Sequence, residues 1–209
     1  MIRTTKRRDP ERTRDTILRA AVSEFSGKGL GGARVDAIAK RADANKRMLY
    51  HYFGSKTQLF LAVLEHIYEE IRSKEEALHL EQLDPTAGMK RIIEFSFNYY
   101  IDHPHFIPLL NSENLHRARH LRRSKSVREL HSPLIAMIQD LLRRGARQGV
   151  FRDGVDPIQL YISIAGLGYF YFSNMHTLST IFGTDLSDPK RRQARRRHIV
   201  ELVLGYLRP

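Results

Sequence analysis

The stretch "NKRMLYHYFGSKTQLF", Asn45 to Phe60, gathers side chains suited to chemistry on a polyanion. Leu49, Tyr52 and Phe53 stand at i, i+3 and i+4, one face of a helix. A helix of about two turns cannot hold itself together, so that face must pack on the helices before and after it. The other side then presents Lys46, Arg47, Tyr50 and His51 outward. Lysine and arginine can pair with guanine O6 and N7 in a major groove, and tyrosine and histidine can reach phosphates or base edges. Lys56 falls in the first turn of the next helix, whose free backbone N–H groups also attract phosphate. The alternative, that the whole segment is core, sits badly with Lys46 and Arg47 beside His51.

The elements that must position these groups read as helical throughout. From Pro10, apolar residues recur at Ile17, Leu18, Ala21, Val22 and Phe25, until "GKGLGG" (Gly27 to Gly32) interrupts the stripe. Val35–Ala42, a turn at Asp43–Asn45, and Lys46–Tyr52 make a helix-turn-helix, with Asn45 able to cap the second helix. Ser55 is placed to cap a long helix to about Leu80. Asp84-Pro85 and Asp156-Pro157 each read as a cap followed by a first-turn proline, and "FGTDLSDP" ends on a third Asp-Pro, at 188–189. The remaining helices are expected at about 85–102, 108–120, a long one ending near "GVFRDG", 157–180 and 190–207. The pattern predicts about nine helices, no strand and no repeat: an all-α fold.

Charge agrees with the polyanion reading. The chain carries a net +12, and residues 1–60 hold 14 Lys or Arg against 6 Asp or Glu, so +8 of the excess sits there. Arg3, Lys6, Arg7 and Arg8 form a basic arm before the first helix, either a minor-groove arm or a solvated tail. No apolar run has the length of a membrane span and no secretory signal is seen, so the expected compartment is the cytoplasm. The absence of cysteine excludes disulfides and thiolate metal sites. An enzyme is not expected: there is no phosphate-cradling glycine loop, no nucleophile–base spacing and no paired-carboxylate signature. No cofactor is called for.

Residues from about 12 to 64 resemble the N-terminal domain of the TetR family of transcriptional regulators. The resemblance is carried by Ala20, Ala21, Phe25 and Gly29, by Val35 with Ile38-Ala39, by Leu49-Tyr50-x-Tyr52-Phe53, and by Ser55-Lys56-x-x-Leu59. Three departures matter. The family's usual Gly-Val-Ser turn is Asp43-Ala44-Asn45 here, which implies a slightly different turn. Its phosphate-binding threonine is replaced by Ala33-Arg34, so Arg34 would make that contact by charge. Its small hydroxyl residue before Leu-Tyr is Met48, suited to a thymine methyl instead. The DNA-facing set is therefore Arg34, Asn45, Lys46, Arg47, Met48, Tyr50, His51 and Lys56.

The resemblance implies a DNA-binding domain over 1–56 and, over 57–209, a helical domain that dimerises and holds a small-molecule effector. It implies a ligand-controlled regulator, most simply a repressor on palindromic double-stranded DNA. A helical architectural protein with little sequence preference is the alternative. The last two helices carry broad apolar faces, Leu160, Ile164, Leu167, Phe170 and Tyr171, then Ile199, Leu202, Val203 and Tyr206, that would pair a homodimer. Gly166 and Gly168 are explained by close approach of a neighbouring helix. Phe95, Asn98, Tyr99, Met137, Tyr169, Phe172 and His176 could wall an effector site, or be plain core. "KRRQARRRH" (Lys190 to His198) reads as a solvated helix face. Glu113, His116 and His120, on one side of the expected 108–120 helix, could hold a metal or face solvent.

Overall fold

The computed structural model describes residues 10–125 and 131–209; the basic arm at Arg3, Lys6, Arg7 and Arg8, and the segment 126–130, lie outside the described residues. Ten α-helices and no strand are present among the described residues. They are α1 (Pro10–Gly32), α2 (Val35–Arg41), α3 (Lys46–Phe53), α4 (Lys56–Glu76), α5 (Pro85–Asp102), α6 (Phe106–Leu115), α7 (His131–Arg147), α8 (Pro157–Ser173), α9 (Met175–Ile181) and α10 (Pro189–Leu207). The described residues fall into two compact units, 10–67 with 108–125, and 68–107 with 131–209.

In the first unit the apolar stripe of α1 turns inward as its spacing requires. Ile17, Ala21 and Phe25 are fully buried, and Phe25 meets Phe60 of α4 edge to face at 5.1 Å between centroids. Gly29, at φ 64°, breaks the helical geometry inside α1. The carboxylate of Glu24, buried in the same face, accepts from Lys28 Nζ at 2.8 Å and from the backbone N–H of Arg34 at 3.2 Å. It thereby serves the start of α2, where Arg34 makes no side-chain cap. The Lys28 hydrogen bond is the main reason its carboxyl lies below the usual glutamate range.

The expected 108–120 helix stops at Leu115. Glu113, only 1% exposed, accepts from the backbone N–H groups of His120 and Leu121 at 2.8 and 2.9 Å, and faces His120 Nδ1 at 2.5 Å. That carboxylate folds the chain back on itself through Arg117 and Ala118, both at φ 55°. Two consecutive left-handed residues cannot continue a helix.

The second unit is built around α5, which packs on α7, α8 and α10. Its core joins Met89, Ile92, Ile93 and Phe97 of α5 to Ile138 and Leu141 of α7, Leu160 and Ile164 of α8, and Ile199 and Val203 of α10. All three Asp-Pro starts form as expected. Asp84 accepts from Thr86 and Ala87, Asp156 from Ile158 and Gln159, and Asp188 from Lys190 and Arg191, with proline in the first turn each time.

Two boundaries differ from expectation in this unit. The long fourth helix ends at Glu76 rather than Leu80, and His79 turns left-handed at φ 48° before a 3-10 turn at Leu80–Gln82. Arg144 of α7 fastens that turn, donating to the carbonyls of Leu80 and Leu83 at 3.0 and 2.6 Å. The expected 157–180 helix is cut at Asn174, whose φ/ψ of −111°/9° leave the helical ladder and whose side-chain amide donates to Phe170 O at 2.9 Å.

Candidate nucleic-acid interface and effector region

The reading helix is held by the side expected to hold it. Leu49 and Phe53 are buried and Tyr52 is half-buried, while Lys46, Arg47, Tyr50 and His51 are exposed. Asn45 caps α3, its side chain accepting from Met48 N at 2.9 Å, and Gly54 closes it at φ 72°. The turn before it keeps a left-handed residue without glycine: Asp43 sits at φ 46°, and Ala44 N donates to Ala39 O at 3.0 Å. Asp is among the few side chains that visit this region routinely.

The other members of the expected DNA-facing set stand on or next to α2, α3 and α4. Arg34 is exposed at the entrance of α2 and Met48 is half-buried. Lys56 opens α4, with Nζ donating to the Gly31 carbonyl at 3.3 Å. Ser55 caps the same helix through Gln58 N at 3.1 Å. Lys46 carries an ion pair that sequence reasoning did not foresee, to Asp36 of α2 at 3.1 Å. Arg14 of α1 also escaped it; its guanidinium lies 5.4 Å from the centroid of Phe53, over the exit of α3. A basic residue about one turn into a helix opened by Pro10 carries no local signal of such a contact.

The residues expected to wall an effector site separate into groups. Phe95 and Tyr99 share one side of α5, with rings 5.8 Å apart; Tyr99 stacks on His103 at 4.1 Å and meets Phe106 edge-on at 5.3 Å. Phe172 of α8 lies against Phe97 and Tyr100, at 4.9 and 5.9 Å. Asn98 faces α10 instead, accepting from Arg196 Nη1 at 3.1 Å beside a cleft of about 390 Å³ lined by Phe97, Ile101, Arg192 and Gln193. Met137 packs on the core cluster, Tyr169 is half-buried, and His176 is exposed on α9.

The arginine run of α10 is not wholly a solvated face. Lys190, Arg191 and Arg197 are exposed, but Arg195 donates to Leu167 O at 3.1 Å and Arg196 to Asn98.

Sequence reasoning missed the polar interior of this unit. Arg72 and Glu75, one turn apart on α4, are 4% and 2% exposed and pair at 2.5 Å. Burial pushes the Glu75 carboxyl up to about 7, with Arg72 opposing. Tyr99 and Tyr100 are likewise held above the usual tyrosine range by burial. The legible signal was Glu75 itself, which continues the apolar stripe Leu64, Ile67 and Ile71 at helical spacing.

For a metal, the structure brings together a different set from the one the sequence suggested. His116 and His120 lie beyond the end of α6, and Glu113 spends its oxygens on His120 and on backbone N–H groups. Among the described residues, the group that could hold an ion is Glu70, His103 and His105, whose ligand atoms lie within 4.8 Å of one another. His103 Nδ1 faces Glu70 at 3.5 Å, and Lys74 faces the same carboxylate at 3.9 Å.

A short, well-anchored helix with a cationic and aromatic outer face, joined to a larger helical unit, defines a helix-turn-helix regulator. Residues 17–63 match the family described as bacterial regulatory proteins, tetR family, and residues 85–203 match the tetracyclin repressor-like C-terminal domain. The HTH-type transcriptional repressor NicS of Pseudomonas putida is 40% identical over 198 residues, spanning 95% of this chain and 93% of its own. The repressor SCO4008 of Streptomyces coelicolor is 31% identical over 160 residues, 76% of this chain and 78% of its own. Among solved structures, the transcriptional regulator SCO4942 of Streptomyces coelicolor superposes with a TM-score of 0.70 at 27% identity, covering 94% of this chain and 99% of that one. The chain belongs to the tetR family of bacterial regulatory proteins and is a transcriptional regulator of the helix-turn-helix type. Among the described residues no helix is long and apolar enough to cross a membrane.

Proposed function

We propose that this chain is a cytoplasmic, homodimeric repressor that occupies a palindromic operator and leaves it when a small molecule binds its helical domain. The observation that carries the reading is the division of α3: Leu49 and Phe53 are buried, while Lys46, Arg47, Tyr50 and His51 face outward. In this reading Lys46 and Arg47 contact base edges, and Tyr50 and His51 contact phosphates or bases. Met48 meets a thymine methyl, and Arg34, Asn45 and Lys56 clamp the backbone. The DNA-binding domain comprises 1–56 and the effector and dimerisation domain 57–209. The relatives named as repressors favour repression over activation.

Dimerisation through α8 and α10 is supported by what those helices leave uncovered. Leu160, Ile164, Gly168 and Tyr171 of α8 turn into the subunit's own core. Ile158, Ile162 and Phe170 are 53%, 54% and 58% exposed along the other side, and Leu202 and Tyr206 of α10 are 46% and 50% exposed. The two glycines of α8 divide in the same way. A Cβ on Gly168 would meet Tyr100 at 3.0 Å, whereas Gly166, between Ile162 and Phe170 on the exposed stripe, has nothing within 4 Å. A second copy of the chain supplies the close neighbour that Gly166 accommodates. A twofold dimer then sets two α3 helices on successive major grooves, about 34 Å apart.

Effector binding beside Phe95, Tyr99 and Phe172, the members of the expected wall that share one aromatic cluster with Tyr100 and Phe106, would act through α4, the helix that begins at Lys56 beside the DNA-facing set. A ligand that prefers another position of α4 changes the separation of the reading helices and releases the operator. The test is operator selection from genomic fragments followed by anisotropy titration at fixed salt. Lys46→Ala and Tyr50→Ala should weaken binding to the selected site at least several-fold, with circular dichroism and dimer size unchanged. Unchanged affinity in both would end the assignment. Equal affinity for selected and random DNA would favour the architectural alternative.

A further inference from the structure

Among the described residues, four buried side-chain donors of the second unit lack an acceptor: Arg192 Nε and Arg195 Nε on α10, and two that concern the α4–α5 side of the unit, Arg72 Nε and the Tyr99 hydroxyl. Arg72 is 4% exposed; its Nη1 donates to Glu75 Oε2, its Nη2 makes only a long contact of 3.4 Å to the Tyr161 hydroxyl, and its Nε has no partner. Tyr99 is 2% exposed and its hydroxyl has no partner either. Buried polar groups in folded proteins are nearly always satisfied, so two orphans in one cluster call for an explanation. The two lie within each other's electrostatic reach: Arg72, Glu70 and Glu75 all act on the Tyr99 hydroxyl.

The missing chemistry is an acceptor. Nε and Nη2 form one edge of the guanidinium, the edge that a carboxylate engages with two parallel hydrogen bonds. Glu75 occupies the remaining nitrogen and is an incomplete counter-ion at neutral pH, because burial pushes its carboxyl up to about 7. The surroundings are mostly aromatic, with the Glu70 carboxylate facing His103 at 3.5 Å on the side where that ring stacks on Tyr99. Tyr99 lies against His103, Phe106 and Phe95, Tyr100 against Phe106 and Phe172, and the Arg72 guanidinium lies 6.0 Å from the ring of Tyr161.

We propose that the effector is a small planar aromatic carboxylate whose anionic group is held by the Nε–Nη2 edge of Arg72 and by the Tyr99 hydroxyl. This rests on the effector-responsive reading above and assigns that site a ligand chemistry. The carboxylate accepts from both donors, the aromatic ring lies among the tyrosine and phenylalanine rings, and Glu75 takes the protonated form as the second anion enters. Because Arg72 stands on α4, the ligand bears directly on the helix that carries Lys56.

The experiment uses the full chain and three probes: benzoate, its uncharged isostere benzamide, and acetate. Calorimetry and thermal denaturation should find benzoate binding at millimolar concentration or below, with benzamide and acetate each weaker by about ten-fold or more. Arg72→Met combined with Glu75→Gln removes the ion pair while keeping its volume, and should abolish the preference for benzoate. Tyr99→Phe, which removes only the hydroxyl, should weaken benzoate by about ten-fold and leave benzamide unchanged. Benzamide binding as tightly as benzoate, or benzoate binding untouched in both variants, would overturn the proposal. So would no benzoate binding in a preparation that still binds operator DNA, and that result would leave the regulator reading standing. Loss of operator binding by the unmodified chain would instead strike the regulator reading itself.

Discussion

Lys46 of the reading helix is paired with Asp36 of the helix before it, with 3.1 Å between Nζ and Oδ1 and both groups exposed to solvent. The hydrogen bond to Asp36, together with its charge, holds the Lys46 ammonium above the ordinary lysine range, so Lys46 stays charged at any pH where the protein would meet DNA. Asp36 is therefore a competitor with DNA for the Lys46 ammonium at the edge of the proposed interface. Asp36→Asn should raise affinity for operator and random DNA alike, several-fold at low salt. It should also steepen the dependence of log K on log salt by about one counter-ion. Anisotropy titrations across a salt series check both. Weaker binding by a folded Asp36→Asn protein would mean instead that the pair holds Lys46 in its reading position.

Asp43 offers a test of the turn alone. At φ 46° it occupies the position where the family resemblance leads one to expect glycine. Asp43→Gly and Asp43→Ala both delete the side chain, so their difference isolates backbone strain. Glycine takes a positive φ freely and alanine does not, which outweighs glycine's greater freedom in the unfolded chain. Urea denaturation should find the glycine variant more stable than the alanine variant by about 1 kcal/mol. Equal stabilities would show that the turn rearranges in the alanine protein.

The contrast between Asp43 and Glu75 marks what the sequence made legible. The helix-turn-helix could be read because its signals are local: the spacing of Leu49, Tyr52 and Phe53, the cap at Asn45, the punctuation at Gly54-Ser55. The three Asp-Pro starts are local in the same sense. The buried pair Arg72–Glu75 depends on which way α4 faces within a tertiary packing that no window of sequence contains. Glu113 was misplaced for a similar reason, since its hydrogen bonds to His120 and Leu121 reverse the chain where periodicity alone would extend the helix. On α8, spacing found apolar positions all round the helix, and only packing separated Ile164, which faces inward, from Ile162, which does not.

Ile162 tests the proposed dimer. It is 54% exposed in the middle of the stripe from Ile158 to Phe170, so a charge there leaves the subunit core untouched. Ile162→Arg should shift size-exclusion elution and sedimentation from dimer to monomer while helical content stays the same. Operator affinity should then fall by roughly 100-fold or more, because two half-sites no longer engage together. A dimer of unchanged stability would place the interface elsewhere.

Glu75 gives the second unit a dependence on pH whose sign is unusual for a carboxylate. Its folded pKa is raised from 4.5 to about 7, chiefly by burial, so between those values the folded chain binds the proton that the unfolded chain has released. Stability contributed by this group therefore falls as pH rises from about 4.5 to about 7, and levels off above. Glu75→Gln keeps a neutral acceptor in contact with Arg72 and removes the titration. Its unfolding free energy, measured against that of the unmodified protein from pH 5.5 to 8, should gain steadily on it as pH rises, by about 1–3 kcal/mol across the range. A constant difference across that range would mean that Glu75 does not titrate there. A growing disadvantage would mean that the Arg72 charge outweighs burial and holds the carboxylate ionised.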